Sequence, residues 1–337
     1  MQAKLPVDDE FHGWKADGTR LRRPSDNAKR RLLGSAPLLQ DFDGFDEGKK
    51  REFPKATAIT SLAITRQFYR NFDPRLISSL MNSFPRLRCF RHEWWYHFDL
   101  QLKIKYNKQY QQFLLPNIPR TLRELYLYED FTRILRGDIP PMTTLGGFAP
   151  RILEATRHLE HLAVSMTISA HHFFEKFDQD FLRRYDLGVE NDEGWPNLKT
   201  LALTYMTVYG PKDPMLRHAA IAALLMPKLT IMELWSLGHD DTIFRYVACG
   251  KGPPRIELSC SKRRGGKLPL TPETLELWQR VARKHGEGDL VVEYRVSESR
   301  KLALRYEMVG ETHLRERILS DVSRYQQLWE YRHKSIC

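Results

Sequence analysis

Six times along the chain, apolar side chains recur at one spacing, the second position three residues after the first and the third two residues later. The sets are Ile59/Leu62/Ile64, Leu87/Phe90/His92, Leu122/Leu125/Leu127, Leu159/Leu162/Val164, Leu198/Leu201/Leu203 and Leu229/Met232/Leu234, with His92 the one polar member. Two positions two residues apart share a face in an extended strand, so each set predicts a strand with its apolar side turned one way. The side chains between and after them form a mixed series: Ser61, Ala63, Thr65; Cys89, Arg91, Glu93; Glu124, Tyr126, Tyr128; His161, Ala163, Ser165; Thr200, Ala202, Thr204; Ile231, Glu233, Trp235. A sheet with helices on both faces carries nearly continuous apolar strands. This alternation predicts a sheet covered on one face and open to water on the other.

Between the strands lie segments with helical periodicity. They are RLISSLMNSF opened by Asp73-Pro74, KQYQQFLL opened by Asn107, RILEATR, HHFFEKFDQDFLRRY, and MLRHAAIAALL opened by Asp213-Pro214. Asp or Asn ahead of a helix accepts from amides that have no partner within it, and Pro in the first turn removes one such amide. Strand, helix and next strand in repeated order build right-handed parallel crossovers. The expected fold class is therefore α/β: an irregular leucine-rich-repeat-like solenoid with parallel strands on a concave face, helices on a convex face and a C-terminal α+β cap. The sets start 28 to 39 residues apart, more than the roughly 20 to 29 of a standard leucine-rich repeat, and Gln67, Trp95, Asp130, Thr167, Met206 and Leu237 stand where that repeat places asparagine. Irregular loops are expected at 137 to 150 and 186 to 197.

Three regions follow. Residues 1–52 are polar and charge-mixed with little periodicity, and read as a disordered leader. Residues 53–260 hold the repeats, with RIELSC (255–260) as a degenerate seventh strand. Residues 261–337 read as the cap: a helix opened by Thr271-Pro272-Glu273, strands DLVVEYR and KLALRYEM, and a final amphipathic helix marked by Leu314, Ile318, Val322, Tyr325 and Trp329.

Composition changes the picture little. The chain has 337 residues, 42% of them hydrophobic, and no apolar run of membrane-spanning or signal-peptide type, which predicts a cytoplasmic or nuclear protein with no membrane partner. Cys89, Cys249, Cys260 and Cys337 include no CxxC pair, so neither a zinc site nor a disulfide framework is indicated. The net charge of +11 sits mostly at the C-terminal end, where residues 251–337 hold 18 basic and 12 acidic side chains. Its densest part, including Lys262, Arg263, Arg264 and Lys267, is the nucleic-acid-binding alternative. It lacks interleaved aromatics, so a solvated surface is the favoured reading and nucleic acid is not the expected partner.

Catalytic patterns are sparse. Ser165 with His161, or Cys89 with His92, would supply nucleophile and base for a hydrolase-like enzyme on the concave face, but no GxSxG turn is present. His171-His172 lacks further ligands at metal spacing, and Gly265-Gly266-Lys267-Leu268 departs from the phosphate-binding loop pattern. Trp94-Trp95-Tyr96 reads as packing, with a sugar or peptide platform as the alternative. No catalytic residue, metal or cofactor is expected. The favoured function is protein binding through the open face, by Arg91, Glu93, Glu124, Tyr126, Tyr128, His161, Glu233 and Trp235, where aromatic anchors stand among charges.

The stretches LPNIPRTLRELYLYEDF (115–131), RHLEHLAVSMTISAHHFF (157–174), WPNLKTLALTY (195–205) and MPKLTIMELWSLGHDDTIFRY (226–246) resemble a fungal family of unknown function found in F-box and leucine-rich-repeat-like proteins. That resemblance, over about residues 53 to 330, implies a role in recruiting targets to a ubiquitin ligase through its adaptor subunit, and brings no catalytic residues. No F-box is legible in residues 1–52.

Overall fold

The computed structural model describes residues 53–68, 71–95, 100–130, 148–189, 194–205, 213–236, 242–249, 252–261, 270–286, 288–297 and 309–334. Nine strands form one sheet in strict sequence order. They are β1 (Ser61–Ile64), β2 (Cys89–Trp95), β3 (Glu124–Asp130), β4 (His161–Ser165), β5 (Thr200–Tyr205), β6 (Ile231–Ser236), β7 (Thr242–Val247), β8 (Arg255–Ser261) and β9 (Val291–Ser297). The six apolar sets each supply one of β1 to β6, all paired parallel. The fold is thus a mixed α/β arrangement around a mostly parallel sheet.

The described helices are α1 (Pro74–Asn82), α2 (Leu100–Gln109), α3 (Phe148–Thr156), α4 (Ala170–Phe174), α5 (Gln179–Asp186), α6 (Asp213–Ala223), α7 (Pro272–His285), α8 (Arg315–Ile318) and α9 (Asp321–Lys334). Several start as the sequence indicates. The Asp73 side chain accepts from the Arg75 amide with Pro74 in the first turn, and Thr271 caps α7 ahead of Pro272. Asp213 opens α6, and its carboxylate also accepts from the Thr271 amide at 2.9 Å, which ties the two helix starts together. Asn107 opens nothing. It lies inside α2, which starts at Leu100 and runs on into a π turn at Tyr110–Leu114.

Two departures from the expected sheet have simple causes. β7 was not anticipated, and it pairs antiparallel with both β6 and β8. Only residues 237–241 separate β6 from β7, too few for a parallel crossover, which needs about a dozen. The second departure concerns the open face.

Side chains alternate between two apolar clusters, one on each face. The larger joins Leu125, Leu127, Leu162, Val164, Leu201, Leu203, Met232 and Leu234 to residues of α1 to α7, such as Ile77, Ile152, Phe173, Leu216 and Trp278. The smaller joins Tyr126, Tyr128, Ala163, Ala202, Trp235 and Ile243 to Val309, Leu314, Ile318 and Leu319. The C-terminal segment, residues 309–330, therefore covers the face expected to be open, and the one-sided sheet is corrected to a two-sided one over these strands. The alternation misleads because this cover is attached largely by hydrogen bonds, so polar side chains on that face do not signal water.

Of the remaining expectations, DLVVEYR forms β9, and the segment 255–260 forms part of β8. KLALRYEM, the leader 1–52 and most of the loop 137–150 lie outside the described residues. The stripe from Leu314 to Trp329 is divided. Leu314 and Ile318 are buried, whereas Val322, Tyr325 and Trp329 are exposed, because the chain breaks at Leu319-Ser320 between α8 and α9.

Candidate interaction face

Register places the face under the C-terminal segment in rows that cross the sheet. One row runs Ala63, Arg91, Tyr126, Ala163, Ala202, Glu233, Arg245, Glu257, Glu293 from β1 to β9. The next, toward the carboxyl ends of the parallel strands, contains Glu93, Tyr128 and Ser165 on β2 to β4 and Thr204, Trp235, Ile243 on β5 to β7. Ala163 and Ala202 make a shallow place at the middle of the first row. Ala163, with Tyr126 beside it, lies on β4 and β3, the two strands that α8 contacts.

Two buried carboxylates hold the segment. Glu233 accepts from the His313 and Leu314 amides, each at 2.8 Å, and from Arg245 Nε at 2.6 Å. Glu93 accepts from the Ser320 amide at 2.7 Å, from Ser320 Oγ at 3.0 Å and from Ser323 Oγ. Each carboxylate thus sits at the start of one helix, Glu233 at α8 and Glu93 at α9, where amides lack partners and the helix dipole favours negative charge.

Cations of the face take the segment's carbonyls. Arg91 donates to the Glu316 carbonyl at 2.5 Å while its guanidinium stacks 4.7 Å over the Tyr126 ring, and Arg245 donates to the Glu311 carbonyl at 2.9 Å. Arg245 also reaches Glu257 at 2.6 Å. Burial raises the Glu257 carboxyl, but the bonds from Arg255 and Arg245 outweigh it and hold the group below its ordinary value. Tyr128 OH accepts from Gln327 Nε2 at 3.1 Å, and Arg317 Nη1 donates to Thr200 Oγ1 at 2.5 Å. The same Thr200 hydroxyl lies 2.9 Å from His161 Nδ1. Burial, with Arg317 adding to it, lowers His161 to about 4.

All eight residues expected to form an exposed docking surface are thereby placed, and the expectation of exposure is corrected. Glu93, Tyr126, Tyr128, Glu233 and Trp235 are buried, and Arg91, Glu124 and His161 are half-buried. Glu124 accepts from Tyr126 OH at 2.7 Å. Burial first and this bond second push the Tyr126 phenol well above its ordinary value.

The alternative chemistries fare as follows. His161 and Ser165 stand four residues apart on one strand, roughly 13 Å by strand rise, so they do not form a nucleophile–base pair. Cys89 and His92 are three residues apart on β2 and point to opposite faces. His92 is enclosed by Trp94 and Tyr110, and burial lowers it to about 3. Trp94 and Trp95 are buried packing residues, and Tyr96 lies outside the described residues. Among the described residues no group of three or more His, Cys, Asp or Glu is arranged to hold a metal, and no helix is long and apolar enough to cross a membrane. Lys262, Arg263, Arg264 and Lys267 lie outside the described residues.

Two features escaped the sequence reading. At the carboxyl ends of β2 and β3 a buried ion pair joins Arg66 and Asp130, with Nε to Oδ2 at 2.6 Å, and Arg66 lies 4.4 Å over the Trp95 ring. Nearby, a groove of about 500 Å³ is lined by Gln67, Asp321, Val322, Tyr325, Gln326 and Trp329. Its apolar members stand at i, i+3 and i+7 on α9 and are 49%, 71% and 46% exposed, and Phe68, next to Gln67 in sequence, is 52% exposed. The helical spacing was legible, but not which side it faced.

A family of unknown function, DUF6546, matches residues 117–320, and the chain belongs to that family. The match runs from before β3 to Ser320, the residue ahead of α9, and so includes both Glu233 and Ser320. No curated protein and no solved structure matches the chain.

Proposed function

We propose that the protein is a non-catalytic protein–protein interaction scaffold, acting in the cytosol or nucleus, whose contact surface is the outer side of α9 with the groove beside it. The observation that carries this reading is the exposed stripe of Val322, Tyr325 and Trp329. Large aromatic side chains in a groove are the usual anchors of a protein interface, and spacing of i, i+3 and i+7 suits an amphipathic helix from the partner. The strictly sequential strand order supports reading the repeats as an irregular leucine-rich-repeat-like solenoid, a frame that presents extended surfaces. Target recruitment to a ubiquitin ligase is the narrower form of the proposal and rests on the resemblance in sequence.

Affinity capture from cells with wild type, Tyr325→Asp and Val322→Asp tests it. Both variants keep the wild-type melting temperature and lose the captured partner; an unchanged captured set sinks the reading. Enrichment of ligase subunits by wild type alone decides for the narrower role.

A further inference from the structure

We propose that the rim formed by the turns ahead of β1 to β6 is a docking surface for an acidic, extended peptide segment of a partner protein. This rim lies at the amino ends of the parallel strands, whereas the groove beside α9 includes Gln67, just past the carboxyl end of β1, so the inference does not rest on the function proposed above.

The turns are residues 53–60, 82–88, 115–123, 156–160, 194–199 and 224–230, and each leads into one strand. Their charges are scattered along the sequence, one or two to a turn, and the parallel sheet gathers them. The Arg123 amide donates to the Arg88 carbonyl at 2.7 Å, the Glu160 amide to the Arg123 carbonyl at 2.8 Å and the Lys199 amide to the Glu160 carbonyl at 2.7 Å, which sets these four residues on successive rungs. Arg86, Arg120, Arg157 and Lys228 stand slightly earlier on the turns ahead of β2, β3, β4 and β6, and Lys55 precedes β1. The rim thus carries eight basic side chains against one acid, Glu160, in a chain whose overall balance is 53 to 42. It is not a sample of the ordinary mixed surface.

Helix capping does not account for the excess. Cations in the last turn of a helix complement its dipole, yet the last turns of α1, α3 and α6, which end at this rim, hold no basic residue. The cations stand on the turns beyond, where Arg86, Arg88, Arg120, Arg123, Lys199 and Lys228 are exposed.

Glu160 shows how the rim holds a carboxylate. It accepts from Lys199 Nζ at 2.7 Å and lies 3.7 Å from Arg123 Nε, between cations of the two neighbouring strands, and the Lys199 bond lowers its carboxyl below the ordinary value. Arg86, Arg88 and Arg120 form no ion pair among the described residues, and their guanidinium forks match carboxylates. From β2 to β6 the rim runs four strand spacings, roughly 19 Å, the length of about six extended residues. The turns show no exposed aromatic ring on which a base could stack, which favours acidic side chains over nucleic acid as the occupant.

Fluorescence anisotropy of a dye-labelled hexaglutamate peptide, titrated with the full-length protein at low salt, tests the proposal. Arg86→Ser/Arg88→Ser/Arg120→Ser is expected to weaken binding at least about tenfold. Arg151→Ser/Arg183→Ser/Arg315→Ser removes three exposed cations elsewhere with the same change in net charge, and is expected to weaken it less than about twofold. Equal weakening by the two variants, no binding by wild type, or tighter binding of a single-stranded oligonucleotide of the same charge overturns the proposal. Should the rim variant lose its circular dichroism, Glu160→Gln gives the second reading. It releases Arg123 and Lys199 and is expected to bind the peptide at least about threefold more tightly, and an affinity no greater than that of wild type overturns the proposal.

Discussion

The Leu314 amide donates to the Glu233 carboxylate at 2.8 Å across 81 residues of sequence, and both groups are buried. This bond, with its neighbour from His313, makes a strand side chain in the middle of the sheet the cap of a helix near the end of the chain. Glu233→Ala removes the acceptor of two amides and one of two carboxylate partners of Arg245. Breaking a buried, hydrogen-bonded charge costs about 3 to 5 kcal/mol. Urea denaturation of Glu233→Ala is expected to show a loss of that size, and Glu233→Gln, which keeps one acceptor, a smaller one. Equal stability of wild type and Glu233→Ala would falsify the capping role.

Both faces of the sheet should resist truncation. Leu162→Ala and Leu201→Ala, in the larger cluster, are expected to cost about 2 to 5 kcal/mol. Trp235→Ala, in the smaller, is expected to cost about 3 to 5 kcal/mol, since Trp235 is as fully buried as the leucines. A surface position would instead leave the melting temperature almost unchanged, so thermal unfolding of Trp235→Ala reports directly on the cover.

Acid should weaken the fold before it protonates most carboxylates. His92, His161 and His285 are held at about 3, 4 and 4 against an ordinary 6.5, in each case first by burial. Between those values and 6.5 the unfolded chain binds more protons than the folded one. Stability therefore rises with pH through that window and is lost as pH falls. The urea midpoint is expected to drop from pH 7 to pH 5, and His161→Gln to lessen the drop. A flat profile over this range contradicts the neutral assignment.

The pair Arg66–Asp130 gives a fourth test. Its side chains are fully buried and 2.5 Å apart at closest approach. Arg66→Ala leaves Asp130 charged and buried, with an expected loss of about 3 to 5 kcal/mol, whereas the double change Arg66→Met/Asp130→Leu restores much of it. A double change no better than the single one shows that the pair does not act as a unit.

The core was legible because it depends on spacing alone. Every expected strand leucine from Leu87 to Leu234 is buried, and β1 to β6 fall on the repeated sets. The second face was not legible for a physical reason. Glu93 and Glu233 look like surface residues because carboxylates are rarely buried unless paired, and the partners of Glu233, Glu93 and Tyr128, namely Leu314, Ser320 and Gln327, lie some 80 to 230 residues away. Local pattern cannot assign such partners. β7 differs: its turn signal, Gly238 to Asp241 between TIFRYV and the preceding strand, is present in the sequence but falls outside the ~30-residue spacing of the apolar sets.

Ala163 and Ala202 stand side by side in register near the centre of the sheet, and neither side chain extends beyond a methyl group. The stature of those two positions limits how near a helix axis can approach the strands. Replacing Ala163 by valine, leucine and phenylalanine in turn would press α8 away from the strands and stretch its bonds to Arg91 and Glu233, at a cost in stability that grows with the volume added.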